Sequence, residues 1–494
     1  MISITQFIRI DRRKSDPLYL QIAYQFINAV QRGLIPVGVK LAGTRIWSEE
    51  LGVHRKTVVA AFDELEAQNW IEIRSRVGAF VQNPVIKAKK DSVSVFNASK
   101  TPEKSGFTFN TSFILSSPFE KEESRFVCND GQPDYRLIKT QELSRFYNGA
   151  LKRRNIQSNI GNFAVQENEF FKEQLSYYLN LTRGFHINKT HLLIAKSREM
   201  LFYTLAKTLF SENDTVLVGD LSFFALNMVF NQEKIKIKTV PLDSDGIDVA
   251  YIKTNFKTGD IRCVYLNPQQ SYPTTSVLSK ARRKELVELA EEYDFIIIED
   301  SEDFEFNYQK EVSLPMATNN VSGRIIHLGS IGKHLHPTFQ LSFMMAPPDF
   351  IAESKKHVSL LNPQGNYVLE QALGEMISEG DFFRYQKKAL KIYRERMLHF
   401  EALLTQYFGE DIHFNRPSNG FAFWIQFKEQ ISLAKLSQEL KLRDVFLPRI
   451  CMYQNQKQTA LRLGFAHWTA EEMEEFVVLL KESYEHLKNN HTLC

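Results

Sequence analysis

Residues 296–306 read Ile-Ile-Ile-Glu-Asp-Ser-Glu-Asp-Phe-Glu-Phe, and residues 325–337 read Ile-Ile-His-Leu-Gly-Ser-Ile-Gly-Lys-His-Leu-His-Pro. Each stretch begins with a short apolar run of the kind that forms a buried parallel strand. Each run then gives way to polar residues, and the carboxyl ends of parallel strands meet at the edge where open α/β sheets bind ligands. The pattern predicts that Asp300, just after the first strand, and Lys333, past the second, face one cleft.

A carboxylate and a primary amine in one cleft are the minimum equipment for holding pyridoxal phosphate. The lysine forms a Schiff base with the aldehyde, and the aspartate keeps the pyridine nitrogen protonated. A solvated lysine and an aspartate that caps a helix would explain the spacing more simply. The sequence therefore predicts pyridoxal phosphate as cofactor, with Lys333 as the catalytic residue, only if the surroundings agree.

Length and composition set the class of protein. With 494 residues the chain is too long for one hydrophobic core, so we expect two or three domains. Hydrophobic residues at 43% and charged residues at 24% fit a soluble globular protein. The first ten residues lack a signal-peptide pattern, no apolar run reaches bilayer length, and the four cysteines lack metal-ligand spacing. We predict a cytoplasmic protein with no membrane contact and no metal.

The charge is unevenly distributed along the chain. Residues 1–90 contain fourteen Lys and Arg against eight Asp and Glu, a net +6. Since the whole chain carries +3, the remainder carries −3. A basic amino-terminal end favours a polyanionic partner, although a solvated basic face would give the same balance.

The amino-terminal residues have the pattern of a helix-turn-helix followed by a hairpin. Apolar periodicity predicts helices over residues 17–33, 44–51 and 54–68, the last two joined by a tight Gly-Val turn. Short strands over residues 70–74 and 79–82 then predict a β-hairpin wing. A recognition helix uses donors in its first turn to reach base edges in the major groove. The predicted DNA contacts are His54, Arg55, Lys56 and Thr57, with Arg45, Arg74 and Arg76 on phosphates.

Solvated ends of a small helical domain would also explain these charges, but not the agreement of turn, helix and wing. Most of residues 15–82 resembles the winged helix of GntR-type bacterial regulators. The matching segments are residues 20–22, 34–38, 41–45, 51–58 and 78–81. The residues that the resemblance places on operator DNA are Arg45, Arg55, Thr57 and, near the minor groove, Gly78. The chain departs from the family at residues 42–44, usually Pro-Ser-Ser, and at His54, usually Ser, which leaves the operator sequence open.

The domain boundaries follow from changes in pattern. Residues 1–83 form the predicted DNA-binding domain, and residues 84–110 are polar and aperiodic, as in a flexible basic linker. Residues 111–494 alternate strand-like with helical stretches, which predicts a mostly parallel sheet clothed by helices. The predicted strands are Leu192–Ala195, 215–218, 237–240, Cys263–Leu266, 295–298 and 325–328.

The large region resembles fold type I aminotransferases, and the whole chain resembles the MocR subfamily of GntR regulators. The landmarks are residues 129–134, 178–184, 267–274, 298–306, 329–337 and 461–465. The resemblance implies a small α+β winged helix-turn-helix followed by a large α/β fold type I, pyridoxal-phosphate-dependent transferase-like domain that dimerises. It also implies that Asp300 pairs with the pyridine nitrogen, that Tyr272 packs near the ring, and that Arg462 holds a substrate or effector carboxylate. An ordinary ion pair at a strand edge is the alternative for Arg462.

Five positions depart from the family pattern and put catalysis in doubt. The phosphate-binding arginine is replaced by Gln340, and the tyrosine that bonds the cofactor's phenolic oxygen is replaced by Glu302. The other departures are Gly332 for Ser, Lys196 for Gly and Thr275 for Gly. Loss of a charged hydrogen bond to phosphate costs about 1.5–3 kcal/mol. If the cofactor binds, burial and the anionic oxygen should raise the pKa of Glu302.

A helix start offers compensation for these losses. Ser197 and Arg198, after Lys196, should begin a helix, and helix N-termini bind phosphate through free N–H groups. Arg198 or Lys196 would then supply the charge that the glutamine lacks.

The sequence as a whole predicts a sequence-specific, DNA-binding transcriptional regulator that is a homodimer. Its aminotransferase-like domain would sense a small ligand, an amino acid or an amine, with the use of pyridoxal phosphate left open. Two alternatives remain. One is an active pyridoxal-phosphate-dependent aminotransferase that carries a DNA-binding domain, and the other is a regulator that uses the fold as a scaffold without the cofactor.

Overall fold

The computed structural model describes residues 4–12, 17–31, 34–75, 77–82, 104–153, 167–309, 313–363, 365–455 and 458–491. The chain forms two compact units, Met1–Phe109 and Asn110–Cys494. Arg76, predicted to contact phosphate, and residues 84–103 of the predicted linker lie outside the described residues.

The described part of the small unit folds as three helices and a hairpin. The elements are α1 Leu18–Gln31, α2 Thr44–Leu51, α3 Arg55–Ala67, β1 Ile71–Arg74 and β2 Gly78–Val81. Strands β1 and β2 are antiparallel, with Arg74 opposite Gly78. Trp47 fills the core, with its ring centroid 5.7 Å from that of Phe26 and 4.9 Å from that of Phe62.

Local sequence fixes the turn between α2 and α3. Gly52 ends α2 in the left-handed conformation at φ 61°, which glycine adopts without steric cost. His54 then caps α3, because its ring nitrogen accepts a hydrogen bond from the Lys56 N–H at 3.2 Å. The first turn of α3 is thereby fixed in direction.

The strands of the large unit are distributed along most of its described residues. They are β3 Phe126–Val127, β4 Leu192–Ala195, β5 Thr215–Gly219, β6 Lys236–Val240, β7 Leu242–Asp243, β8 Gly246–Ile247, β9 Cys263–Leu266, β10 Ile296–Ser301, β11 Ile325–Ile331, β12 Leu341–Met345, β13 Ile412–Phe414, β14 Ala422–Phe427, β15 Val445–Phe446, β16 Met452–Gln454 and β17 Thr459–Gly464. The helices are α4 Thr140–Leu151, α5 Glu169–Arg183, α6 Arg198–Leu209, α7 Phe224–Gln232, α8 Val249–Asn255, α9 Lys280–Tyr293, α10 Pro348–Leu361, α11 Tyr367–Ser378, α12 Asp381–Phe408, α13 Leu433–Lys441 and α14 Ala470–His491.

A seven-stranded sheet forms the centre of this unit within the described residues, in the order β4-β12-β11-β10-β9-β5-β6. Strand β12 is antiparallel to both its neighbours, and the other pairs are parallel. Consecutive residues of β10 enter different hydrophobic clusters, Ile297 in one and Ile298 in the other. Since successive side chains of a strand point to opposite faces, both faces of the sheet are buried.

The structure corrects two details at the central strands. The strand predicted over residues 295–298 runs as Ile296–Ser301, so Asp300 lies inside the strand and not after it. The parallel pairing of β10 with β11 includes Asp300, which lies opposite Leu328. Strand β11 also extends to Ile331, so the lysine follows its end closely. Strand β12 was not predicted from the sequence.

A second sheet, in the order β13-β14-β17-β16, is antiparallel throughout. It carries Arg462 in β17, opposite Trp424 of β14. Its hydrophobic cluster includes side chains of α12, such as Phe400, and of α14, such as Phe476. The strands of this sheet were not predicted from the sequence, although Arg462 was predicted as a site residue.

No helix in the described parts of the chain is long and apolar enough to cross a bilayer. Cys128, Cys263 and Cys451 are buried and free. Within the same residues no cluster of His, Cys, Asp and Glu could hold a metal ion.

The loop after β11 yields a stability prediction. Gly332 has φ +84°, and a Cβ there would lie 2.5 Å from the carbonyl oxygen of Phe339. Gly259 has φ +85° with no atom within 4 Å of such a Cβ. Gly332→Ala should lower the free energy of unfolding by about 2–4 kcal/mol and Gly259→Ala by only about 1 kcal/mol. Urea unfolding measures both, and equal losses would contradict the clash.

Candidate functional site

A cleft of about 350 Å³ opens at the carboxyl ends of the parallel strands. Strands β10 and β11 end there, and α6 begins there after β4. Every residue predicted for the site of the large unit lines it. These residues are Ser197, Arg198, Tyr272, Asp300, Lys333 and Arg462.

Asp300 lies at the base of the cleft, 1% exposed. Its Oδ2 accepts a hydrogen bond from the Tyr265 hydroxyl at 2.7 Å and another from Arg198 Nη1 at 3.1 Å. Its Oδ1 is buried without a hydrogen-bond partner. Burial raises the pKa of Asp300, and Arg198 opposes that rise. The carboxylate therefore depends on the arginine for its charged form.

Arg198 is the first residue of α6, and its guanidinium contacts two carboxylates of the cleft. Its Nη1 lies 3.1 Å from Asp300 Oδ2 and 2.7 Å from Glu302 Oε2. Its central carbon lies 3.9 Å from the centroid of the Phe223 ring. Burial acts to lower its pKa, but the two carboxylates raise it overall. The sequence placed this arginine at the cofactor phosphate, whereas the structure points its charge at the base of the cleft.

Lys333 is held by carboxylates. Its Nζ lies 2.7 Å from Asp303 Oδ1 and 3.5 Å from Glu302 Oε1, and the residue is 8% exposed. Burial acts to lower the pKa of Lys333, but Asp303 and Glu302 raise it overall. A lysine becomes a nucleophile when its surroundings lower its pKa. Here the surroundings do the opposite and keep the amine protonated.

Glu302 lies between two cations. Burial does act to raise its pKa, but Arg198 and Lys333 lower it to about 2. The rise expected from the sequence applies to a site with a bound phenolic oxyanion and stays a prediction, but the sequence did not show that two cations would flank the carboxylate. Glu302 is therefore ionised across the neutral range.

Arg462 and Tyr272 form the opposite wall. Arg462 Nε donates to the carbonyl of Asp130 at 2.9 Å, and its Nη1 donates to the carbonyl of Pro273 at 2.8 Å. Its guanidinium carbon lies 4.8 Å from the centroid of the Tyr272 ring. Among the described residues no carboxylate forms an ion pair with Arg462, so the expected alternative, a strand-edge ion pair, is not found there.

A buried polar network beneath the cleft holds β10 against its neighbours. Glu299 accepts hydrogen bonds from the N–H groups of Met316 at 2.7 Å and Ala317 at 3.0 Å, and lies 3.0 Å from His327 Nδ1. The other ring nitrogen of His327 lies 3.1 Å from Arg183 Nη1. Burial acts to raise the pKa of Glu299, but the histidine and the two N–H groups lower it overall. The paired charge of Glu299 fixes the position of this residue, which directly precedes Asp300 in β10.

Sequence reasoning missed three residues that shape the cleft. Asp303 stands in the quoted acidic stretch and could have been named as a partner for Lys333. Tyr265 lies within β9, and Phe223 precedes α7, but neither position has a pattern that separates a site residue from a core residue. Only the tertiary contacts identify them.

The cleft does not fit pyridoxal phosphate bound through Lys333. The amine is protonated and paired with Asp303, and the carboxylate that would receive the ring nitrogen, Asp300, is paired with Arg198. An ionised Glu302 would repel the phenolate of the cofactor. Only the phosphate has a suitable feature, the start of α6, where Ser197 caps the helix.

In the small unit the predicted DNA contacts lie at the start of α3. Arg55 and Lys56 are exposed and Thr57 is half-buried, and Arg45 is exposed on α2. His54 is exposed as well, but its ring serves as the helix cap. These side chains stand on two elements that one turn joins.

The wing carries fewer free charges than the sequence suggested. Arg74 pairs with Glu72 at 3.0 Å and lies over the Phe80 ring at 4.7 Å. A Cβ on Gly78 would lie 2.8 Å from Lys40 Cε. Lys40 is thus a cation beside the wing that sequence reasoning did not name.

Comparisons with known proteins agree with both units. The family model described as aminotransferase class I and II matches residues 136–480. The chain is 24% identical to the uncharacterised HTH-type transcriptional regulator YisV of Bacillus subtilis, over 94% of this chain and 95% of that protein. It is 22% identical to the probable rhizopine catabolism regulatory protein MocR of Rhizobium meliloti, over 98% of this chain and 97% of that protein.

A solved structure shows the same fold. The kynurenine aminotransferase of Pyrococcus horikoshii superposes with a TM-score of 0.66 at 18% identity, covering 76% of this chain and 92% of that one. The predicted fold class of the large region is confirmed.

The flanked carboxylate gives a pH prediction. Because the pKa of Glu302 is lowered from 4.5 to about 2, its contribution to stability is present above pH 4.5 and is lost as the pH falls towards 2. Wild type should exceed Glu302→Gln in free energy of unfolding by an amount on the order of 3 kcal/mol at neutral pH, and the difference should vanish in acid. Urea unfolding of both proteins across this range measures it. A difference that does not change with pH would contradict the two-cation environment.

Proposed function

The chain belongs to the aminotransferase class I and II family, and on that premise we propose that its aminotransferase-like unit senses a small ligand for a DNA-binding unit. It is a DNA-binding transcriptional regulator of the MocR type, since it is similar along nearly its whole length to the HTH-type transcriptional regulator YisV and to the regulatory protein MocR. The resemblance to the MocR subfamily is confirmed. The observation that carries the regulatory function is the exposed cationic first turn of α3, fixed by the His54 cap.

Arg55 and Lys56 are the side chains we assign to the major groove. A donor pair at the first turn of a recognition helix reaches both base edges and phosphates. Arg45 on α2 and Lys40 beside the wing are the phosphate contacts that flank them. Arg74 contributes less, because Glu72 neutralises it.

We assign the regulator a homodimeric state. Two winged helices on a dimer read paired half-sites, which a single head cannot. Support comes from a run of exposed apolar side chains on the large unit, among them Phe113, Ile114 and Leu115. Contiguous exposed apolar surface of this kind marks a protein interface. We also propose that the protein is cytoplasmic, as expected of a DNA-binding regulator whose relatives are bacterial.

The effector is a small molecule of the amino-acid or amine class. Within that class the cleft suits a molecule that also carries a carboxylate. Arg462 is buried at 5% exposure and uses two of its N–H groups on backbone carbonyls, and no carboxylate among the described residues forms an ion pair with it. A guanidinium in a cleft pairs best with a planar carboxylate. Asp300 Oδ1 and Asn419 Oδ1 line the same cleft as buried acceptors without partners, and they suit the ammonium of such a ligand.

The alternative of a working aminotransferase makes a different demand on Lys333. Transamination needs the neutral amine, and Asp303 and Glu302 hold this amine in the charged form. Purified protein given pyridoxal phosphate, amino acids and a keto acid should show no measurable transamination. Multiple turnovers that Lys333→Ala abolishes would establish the enzyme instead.

DNA binding is tested at the recognition helix. Arg55→Ala should weaken specific binding to the native upstream region by about 10-fold or more, the loss of a contact of about 1–3 kcal/mol. The dependence of binding on salt should be steep for wild type, since counterions leave several phosphates. A gel shift over a salt series measures both effects.

The matched control is Arg9→Ala, which removes an exposed arginine of the small unit outside the helix-turn-helix. It should leave the specific affinity nearly unchanged. If Arg55→Ala binds like wild type, the assignment of α3 as the recognition helix is wrong.

A further inference from the structure

We propose that the Arg198 guanidinium permanently takes the place of a cofactor's cationic ring, so that the cleft binds its ligand non-covalently and without pyridoxal phosphate. The identity of that ligand as an effector rests on the proposed regulatory function. The placement of the guanidinium does not.

Both Arg198 and Lys333 are paired with carboxylates without any bound group. Arg198 serves both Asp300 and Glu302, and Lys333 is paired with Asp303. Buried carboxylates need cationic partners because removal from water disfavours their charge. A pyridinium would bring to Asp300 the charge that the arginine already supplies. A pyridine ring could reach Asp300 only if Arg198 moved away, and Glu302 would then lose the same cation.

The guanidinium also covers the aromatic surface that a ring would use. Arg198 is 15% exposed, and its central carbon lies 3.9 Å from the centroid of Phe223. A cation at this distance from the centroid lies over the aromatic face. Phe223 is itself fixed by an edge-on contact with Tyr272, with centroids 5.3 Å apart. The space between Phe223 and Asp300 is therefore filled by a side chain of the protein.

The charged state of the Lys333 amine follows from the same arrangement. A lysine next to cations loses its proton easily, whereas Lys333 faces two carboxylates. Glu302 bridges the two halves, since one oxygen meets Arg198 and the other lies 3.5 Å from Lys333. The arginine thus orients the carboxylate that helps to keep the lysine charged.

Unpartnered atoms show where a ligand binds instead. Arg198 Nε, Asp300 Oδ1, Gln270 Nε2 and Asn419 Oδ1 are buried without hydrogen-bond partners, and all four residues line the cleft. They offer donors and acceptors together. A small zwitterion satisfies such a set through hydrogen bonds alone, with its carboxylate on the guanidinium groups.

The first test is a titration of full-length wild type with pyridoxal phosphate, followed by borohydride reduction and peptide mass analysis. We expect no saturable aldimine band and no label on Lys333. A saturable band that Lys333→Ala removes would overturn the proposal. DNA binding by the same wild-type sample is measured separately, so failure of the regulatory function is distinguishable from failure here.

The second test is chemical rescue of Arg198→Ala. The melting temperature should fall by an amount on the order of 5 °C, because the buried Asp300 and the half-buried Glu302 lose the cation that they share. Ethylguanidinium should restore it saturably by filling the vacated space, and urea at equal concentration, planar but neutral, should not. The control is Arg282→Ala, which removes an arginine paired with Asp243 outside the cleft and should show no saturable rescue.

Arg198→Ala with wild-type stability, or rescue by both compounds alike, would overturn the proposal. Should Arg198→Ala fail to fold, Arg198→Lys takes its place. An ammonium keeps the charge but cannot stack flat on Phe223 while contacting both carboxylates. It should melt below wild type, and an unchanged melting temperature would overturn the special role of the guanidinium.

Discussion

The ion pair of Arg198 with Asp300 and Glu302 is the interaction on which the chemistry of this cleft depends. Two carboxylates at the carboxyl end of a buried strand would repel each other and resist burial if they stood alone. One guanidinium contacts both, and Lys333 supplies a second positive charge beside Glu302. The state of Lys333 as a charged, paired amine follows from that arrangement.

The proposed non-covalent site would keep the ligand cleft of this fold and give up covalent chemistry at Lys333. The parallel strands still converge on one edge, and the polar network around Glu299 still fixes the strand beneath it. The features that characterise this cleft are the two carboxylates around Lys333 and the guanidinium beside Phe223. A regulator needs a ligand that comes and goes, and reversible hydrogen bonds serve that need without a covalent cofactor.

The sequence predicted the fold and the membership of the cleft, because both depend on short-range patterns. Apolar runs marked the central strands, and polar residues after them marked the edge where Asp300 and Lys333 meet. The winged helix was read from turn glycines and helix periodicity around Gly52. Residues matched by family position, Tyr272 and Arg462, also line the cleft.

What the sequence could not predict were the directions of side chains and the long-range pairings. Arg198 begins a helix and so resembled a phosphate ligand, but its side chain turns towards carboxylates about one hundred positions away in the chain. The lowered pKa of Glu302 depends on that turn. Strand β12 and the second sheet form by antiparallel pairing between distant segments, which local periodicity does not show.

The most direct measurement is a crystal structure of the full-length protein grown with excess pyridoxal phosphate. The account predicts the Arg198 guanidinium stacked on Phe223 and paired with Asp300 and Glu302, with Lys333 on Asp303. Continuous density from the lysine to a ring that lies on Phe223, with the arginine displaced, would contradict it.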